Sequence, residues 1–366
     1  MKPNRRVTAL LIGATLLALS FVPGCRVGYL IKSGYFQAEL LASRVPVDEV
    51  RATGKLTEKE LSKLDLIADV KAWGANIGLS ATDNYETIAQ DWSRTIWNVS
   101  ACNPVAFEPK RWWFPIVGSM PYLGYFREQD ARRTEARLAG QGYDVYVRTA
   151  GAYSTLGWFK DPILPKMLTW SDFSLADTVL HELAHATLWV PGSVKFNESF
   201  ANYVGEVAAL RYLADRRGHH APALVQAVNQ QSDRKVYRDL LHQLYQDLDA
   251  VYTDASLSDA QKLAEKDRLF HQELPRRVEE APLAEKARYL KSVEKGPWNN
   301  ARMVQFKTYN TNEEVFAAVL VEVDGDLLAF IDRVREITEG RKDPFRALRE
   351  AMGIPEPDSS GRNSDN

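Results

Sequence analysis

His181-Glu182-Leu183-Ala184-His185 constrains this chain more than any other stretch. Residues four apart on an α-helix share a face. On a helix the two imidazoles therefore present their nitrogens to one point, with Glu182 beside them. Twelve residues after His185 comes Glu198, in Asn197-Glu198-Ser199-Phe200-Ala201, beyond a Pro191-Gly192 break. A catalytic zinc site takes three protein ligands and leaves one position open. His181, His185 and Glu198 supply such a set. Glu182 is placed to hold a water rather than the ion, and to take its proton as the water adds to a carbonyl. The fold must then bring two helices side by side across a short connection. Two plainer readings stay open: a pair of structural histidines on one helix face, and Glu198 as a first-turn carboxylate favoured by the helix dipole.

The surrounding pattern is mostly helical. Ser174-Leu175-Ala176-Asp177 reads as a capping box opening the motif helix, which stops at Pro191-Gly192; a second helix spans 197–217 and stops at Gly218. Thr57-Glu58-Lys59-Glu60 is a capping box for a helix to about residue 73, with Leu61, Leu64, Leu66, Ile67 and Val70 as its apolar stripe and an end near Gly74 or Gly78. Residues 101–126, rich in Pro, Gly and aromatics, predict loops and short strands. Residues 127–140 predict a helix, 143–147 a strand, and 152–159 a second strand or extended loop. Residues 234–292 read as a long, solvated helical hairpin broken near 253–258, with no chemistry of its own. Helices follow over 313–321 and 326–339, then a disordered tail. The class expected is α+β, predominantly helical, with a small antiparallel sheet and a long helical hairpin.

The amino terminus reads as an address. Lys2, Arg5 and Arg6 precede an apolar run over 7–22, too short and too near the terminus for a permanent span. It ends in Val22-Pro23-Gly24-Cys25, which resembles a bacterial lipoprotein signal with Cys25 as the lipidated residue. Stable membrane attachment follows from several acyl chains on one cysteine. An ordinary secretory signal or an uncleaved anchor is the alternative. Arg26 after the cysteine resembles the outer-membrane sorting pattern, so the expected location is the bacterial cell envelope, on the outer membrane facing the periplasm. Cys102, the other of the two cysteines, is then expected as a lone buried thiol. A net charge of −2 over 366 residues carries no nucleic-acid footprint, and no nucleic-acid partner is expected.

Residues 197–203, Asn-Glu-Ser-Phe-Ala-Asn-Tyr, resemble the Asn-Glu-Gly-Phe-Ala segment of gluzincin zinc aminopeptidases, although in those the Glu ligand commonly lies eighteen residues beyond the second His. A closer resemblance is to a bacterial lipoprotein family described as predicted aminopeptidases. It rests on Cys25, on the segments at 112–118, 122–126 and 152–162, on the motif and Asn-Glu-Ser-Phe-Ala at 181–201, and on Asn299-Asn300-Ala301-Arg302. The resemblance implies a zincin-like core, a Zn2+ cofactor, a peptide substrate, and aminopeptidase activity. Its expected division is a signal peptide at 1–24, a catalytic region at 25–220, a helical hairpin at 221–292, a helical part at 293–350 completing the catalytic domain, and a tail at 351–366. In related gluzincins an acid four residues after the Glu ligand orients a histidine; here that position is Asn202, with Asp177 as an alternative. Tyr153, Tyr203 and Tyr309 are the candidates for donating to a developing oxyanion, with Tyr153 and Tyr309 counted among the catalytic residues beside Glu182. Residues 153–159 are the candidate strand for pairing with an extended peptide. The amine-gripping element of gluzincin aminopeptidases is not evident: Gly118-Ser119-Met120-Pro121 lacks its acid, leaving acids such as Glu206. Zinc endopeptidase activity, or a non-catalytic envelope lipoprotein with a structural metal, are the competing readings.

Overall fold

The computed structural model describes residues 27–89, 95–114, 118–149, 160–308 and 313–356. In chain order its elements begin with helix α1 (Val27–Ala42), strand β1 (Arg44–Pro46), helices α2 (Val47–Ala52) and α3 (Glu58–Asn76), and strands β2 (Thr87–Ala89), β3 (Trp97–Cys102), β4 (Trp112–Phe114), β5 (Gly118–Met120) and β6 (Leu123–Tyr125). Helix α4 (Glu128–Ala139), strand β7 (Asp144–Thr149), and helices α5 (Asp172–Thr187), α6 (Val194–Arg217) and α7 (Pro222–Thr253) follow. The remainder comprises α8 (Asp259–Arg268), a π turn (Leu269–Glu273), α9 (Leu274–Glu280), α10 (Lys286–Glu294), α11 (Asn300–Thr308), α12 (Glu313–Glu322), α13 (Leu327–Thr338) and α14 (Pro344–Met352). The composition is α+β and predominantly helical, as the pattern predicts. Among the described residues no helix is long and apolar enough to cross a membrane. Cys25, Tyr153, Tyr309, the predicted strand at 152–159 and most of the predicted tail lie outside the described residues.

Backbone contacts divide the chain into two units. The first comprises Met1–Ser43, Ser93–Ala150 and Asn299–Arg302. Its sheet has the order β6-β3-β7, antiparallel throughout, with β3 and β7 in register from Trp97↔Thr149 to Cys102↔Asp144. Alternation along β3 and β7 sends Val99, Ala101 and Val145 to one face. They pack there with Leu123, Trp112 and Phe114 and with Ala131 and Leu138 of α4. Cys102 is fully buried, as expected, and its thiol donates to the Ala106 carbonyl at 3.4 Å. The Asn299-Asn300-Ala301-Arg302 segment ties this sheet's end. Asn299 donates to the Val145 carbonyl at 2.9 Å, the Asn300 amide to Asp144 at 2.8 Å, and the Asn300 side chain to the Asn103 carbonyl at 2.9 Å.

The second unit comprises Arg44–Trp92, Gly151–Trp298 and Met303–Asn366. Its centre is the packing of α3, α5 and α6. Helix α3 opens on the predicted capping box at Thr57 and Glu60 and buries Leu64, Leu66, Ile67 and Val70. Gly74 lets it lie directly on α5: a Cβ there would meet Leu183 at 3.0 Å and Leu180 at 3.1 Å. Polar ties join α3 to α6. Tyr212 Oη donates to Asp69 at 2.8 Å, Arg216 grips the same carboxylate with two bonds of 2.9 Å, and Trp73 Nε1 donates to Asp215 at 3.0 Å.

Three sequence expectations are corrected here. The cap of α5 is Ser171, whose Oγ accepts from the Ser174 amide at 3.1 Å, so the helix starts one turn before the predicted box and Asp177 has no capping duty. That helix ends at Thr187 rather than at Pro191, because Leu188 turns extended and Pro191 disfavours helical backbone at the residue before it. Helix α6 starts at Val194, three residues early, which moves Glu198 out of the first turn and removes the dipole reading of that residue. The helical hairpin breaks at 254–258 as predicted, and its first arm runs from Pro222 to Thr253.

Candidate metal centre

The site is built on the seam between α5 and α6. Helix α6 is held from behind by aromatic packing. Phe196 and Phe200 are fully buried, stacked on one another at 6.2 Å, and surrounded by Phe316, Phe330 and Phe345 from α12, α13 and α14. On the seam side the helix carries Glu198 and Asn202, and its small buried residues Ala201, Gly205, Ala208 and Ala209 permit close approach. Gly205 marks the tightest point. A Cβ there would lie 2.9 Å from both the carbonyl oxygen and Oδ1 of Asp177, and 3.1 Å from the Cβ of His181.

The connection between the helices is short, and one side chain closes it. Asn197, fully buried, accepts from the Val190 amide at 2.8 Å and donates to the Val190 carbonyl at 2.9 Å. With Gly192 in the left-handed region at φ 80°, this bidentate clasp folds residues 188–193 back so that the residue after the clasp, Glu198, faces the histidines. The twelve-residue spacing was legible in the sequence; the role of Asn197 was not, because its partner is backbone.

His181, His185 and Glu198 meet. Their ligand atoms all lie within 4.8 Å of one another. Nε2 of His185 is 3.5 Å from Glu198 Oε1, and Nε2 of His181 is 3.9 Å from Glu198 Oε2. Donors about 2.1 Å from one tetrahedral ion stand about 3.4 Å apart, so these separations fit a zinc ion with little adjustment. The rings cross at 89° with centroids 4.6 Å apart. Burial holds both imidazoles neutral, with lone pairs free for a cation. His181 is pushed down to about 3 by burial and by His185, against the hydrogen bond it donates to Asn202, and His185 to about 4 by burial. Burial raises the Glu198 carboxyl above its ordinary value, the direction expected of a carboxylate awaiting a positive partner.

Around these three the other predicted residues fall as follows. Glu182 is buried at 9 % exposure on the motif helix. Asn202 is hydrogen-bonded to His181. The second nitrogen of His185, Nδ1, is buried with no hydrogen-bond partner among the described residues; Trp189 covers that ring edge-on at 5.6 Å. Tyr203 turns away from the seam and lies against Phe316 and Phe330. The side-chain hydrogen bond at His181 is with Asn202, and none with Asp177 is found among the described residues. The Asp177 carboxyl is pushed up to about 7 by burial first and by the charge of Glu206 on α6 second, with Arg234 pulling the other way. Arg234 belongs to α7. Tyr85, which sequence reasoning missed, is buried within the electrostatic reach of Glu182.

Two imidazoles and a carboxylate whose ligand atoms lie this close together could hold one metal ion. Comparison with known families agrees in kind: residues 28–347 match the profile of the family described as "Putative aminopeptidase". That span is most of the chain, and the protein belongs to this family. No curated protein and no solved structure matches it.

Proposed function

We propose that this protein is a zinc-dependent peptidase of the aminopeptidase type with a zincin-like core. The carrying observation is the convergence of His181, His185 and Glu198, with Nε2–Oε separations of 3.5 and 3.9 Å and both imidazoles uncharged. Membership of the aminopeptidase family supports a peptide substrate. When bound, zinc supplies Lewis acidity, polarising a carbonyl and bringing the pKa of a water to roughly 7. Glu182 takes the proton from the attacking water and returns it to the departing amine. Asn202, through its hydrogen bond, fixes the ring of His181, and such outer partners raise metal affinity. A structural zinc would need four protein ligands and no base; three converging donors and an adjacent carboxylate favour catalysis over scaffolding. Glu198→Ala is expected to lower zinc content from one per chain to near zero after dialysis, with little change in helical signal; one zinc retained would remove Glu198 from the ligand set.

We also infer that the chain is a lipoprotein of the bacterial cell envelope, anchored through Cys25. The support is the lipobox-like ending of the apolar run. Cys25→Ser is expected to shift the protein from the membrane fraction to the soluble one, and an unchanged distribution would discard the anchor.

A further inference from the structure

Helices α5 and α6 face one another in steps of four residues, and the steps continue past the ligands. His181 meets Asn202, and His185 meets Glu198 at 3.5 Å. One step nearer the connection, His185 is followed by Trp189 and Glu198 is preceded by Val194. Trp189 lies just beyond the end of α5, yet its ring rests edge-on against His185, with centroids 5.6 Å apart and planes at 63°. Val194 opens α6 and, four residues before Glu198, shares the face that carries that carboxylate. Two apolar side chains therefore border the metal centre at its connection end.

Both are exposed, Trp189 at 41 % and Val194 at 61 %. One exposed apolar residue taken singly means little on a protein surface; these two adjoin the same ligand set, one from each helix. The indole is not carried on a loose loop. Leu188 before it is buried, and its amide donates to the Ala184 carbonyl at 3.0 Å. Val190 after it is clasped by Asn197 through both amide and carbonyl, and that carbonyl also accepts from the Ser193 amide at 3.2 Å. A rigid aromatic wall gives contact area at little cost in entropy. From Ala186 to Val194 the connection carries no charged residue, so it offers no partner to a charged group brought out of water.

We propose that Trp189 and Val194 form an apolar subsite that selects peptides with a bulky apolar side chain next to the scissile bond; this names a substrate class for the peptidase reading above and rests on it. An extended peptide advances about 3.5 Å per residue. A carbonyl held at the metal centre therefore brings a flanking side chain to the indole, whose ring lies 5.6 Å from that of His185. A Phe or Leu side chain gains contact there and sheds water; an Ala side chain gains little, and an Asp side chain loses hydration without a partner. The subsite is open to solvent on one side, so the selection it gives is about tenfold, at the low end of what apolar pockets achieve.

The test reads binding apart from turnover. Zinc-loaded full chain carrying Glu182→Gln is titrated calorimetrically with two series of tripeptides, Xaa-Ala-Ala and Ala-Xaa-Ala, where Xaa is Phe, Leu, Ala or Asp. The same titrations are run with Trp189→Ala, Trp189→Phe or Val194→Asp added, and wild-type hydrolysis of every peptide is measured alongside. The proposal predicts that, in at least one series, the Phe and Leu peptides bind about tenfold more tightly than the Ala peptide and the Asp peptide binds most weakly. Trp189→Ala should bring the Phe-to-Ala ratio close to one, whereas Trp189→Phe, which keeps an aromatic wall, should preserve it. Val194 is exposed, so Val194→Asp leaves the core intact and should also erase the ratio, even if Trp189→Ala unsettles His185 and sheds zinc. Equal affinities across Xaa in both series, or a preference that survives both Trp189→Ala and Val194→Asp, overturns the proposal. Cleavage of all the peptides at one rate by the wild type would overturn the subsite and leave the peptidase reading standing. A Trp189-dependent preference in binding by a wild type that cleaves none of them would uphold the subsite and overturn the peptidase reading.

Discussion

At the scale of single residues, the site is a set of buried polar groups whose charges are incomplete without a cation. His181 and His185 are neutral because burial disfavours their protonated forms, and Glu198 is raised for the same reason. Asp177 extends this pattern beyond the ligands. Its folded pKa of about 7 lies above an unfolded value of about 3.9. Between those values the folded chain keeps a proton that the unfolded chain has released, so this group's contribution to stability is complete below about pH 4 and is lost as pH rises through 7. Glu206 deepens the effect and Arg234 offsets it. Asp177→Asn is uncharged at every pH. In urea unfolding of metal-free protein it is expected to match the wild type near pH 4 and exceed it by on the order of 2 kcal/mol at pH 8. Parallel pH profiles for the two proteins would contradict the buried-acid assignment. The residues whose roles depend on local spacing were legible from sequence: two histidines one turn apart, and a carboxylate on the next helix. Asn197 was not. Asn197 acts on backbone atoms seven residues away, which no local pattern marks.

At the scale of elements, the decisive feature is how closely α5 and α6 approach. Period and capping predict both helices. They misplace the starts by two or three residues, because Ser171 and Ser174 both precede helix-compatible runs and only tertiary packing chooses between them. The approach itself depends on Gly205, which a sequence reader sees only as a glycine inside a helix. Adding one methyl there drives it into the Asp177 backbone oxygen at 2.9 Å, and backbone of a packed helix does not yield as a flexible side-chain end would. Gly205→Ala is expected to destabilise the protein by about 1–3 kcal/mol. It should also weaken zinc binding at least tenfold, since the displaced helix carries Glu198. Thermal unfolding with competitive zinc titration measures both. Unchanged zinc affinity would mean that the seam tolerates separation and that Glu198 does not depend on it.

At the scale of the whole molecule, the two units share the chain's labour unequally. In the first unit a three-stranded sheet and one helix form a core whose polar ends are tied by Asn299 and Asn300. In the second, two helices carry the three described residues that could hold a metal ion. The α+β class and the hairpin break followed from periodicity and turn residues. The long-range ties, such as Asn300 to Asn103 and Arg216 to Asp69, did not, since nothing local marks them. The central claim is that this framework exists to hold a metal ion beside Glu182 so that water can be turned on a peptide bond. The most direct test is peptide hydrolysis by zinc-loaded wild type and Glu182→Gln, with zinc content measured on the same samples. The account predicts one zinc per chain in both proteins, turnover by the wild type that disappears with a chelator, and a loss in the Gln variant of about 10²-fold or more. Undiminished hydrolysis by the Gln variant would contradict it.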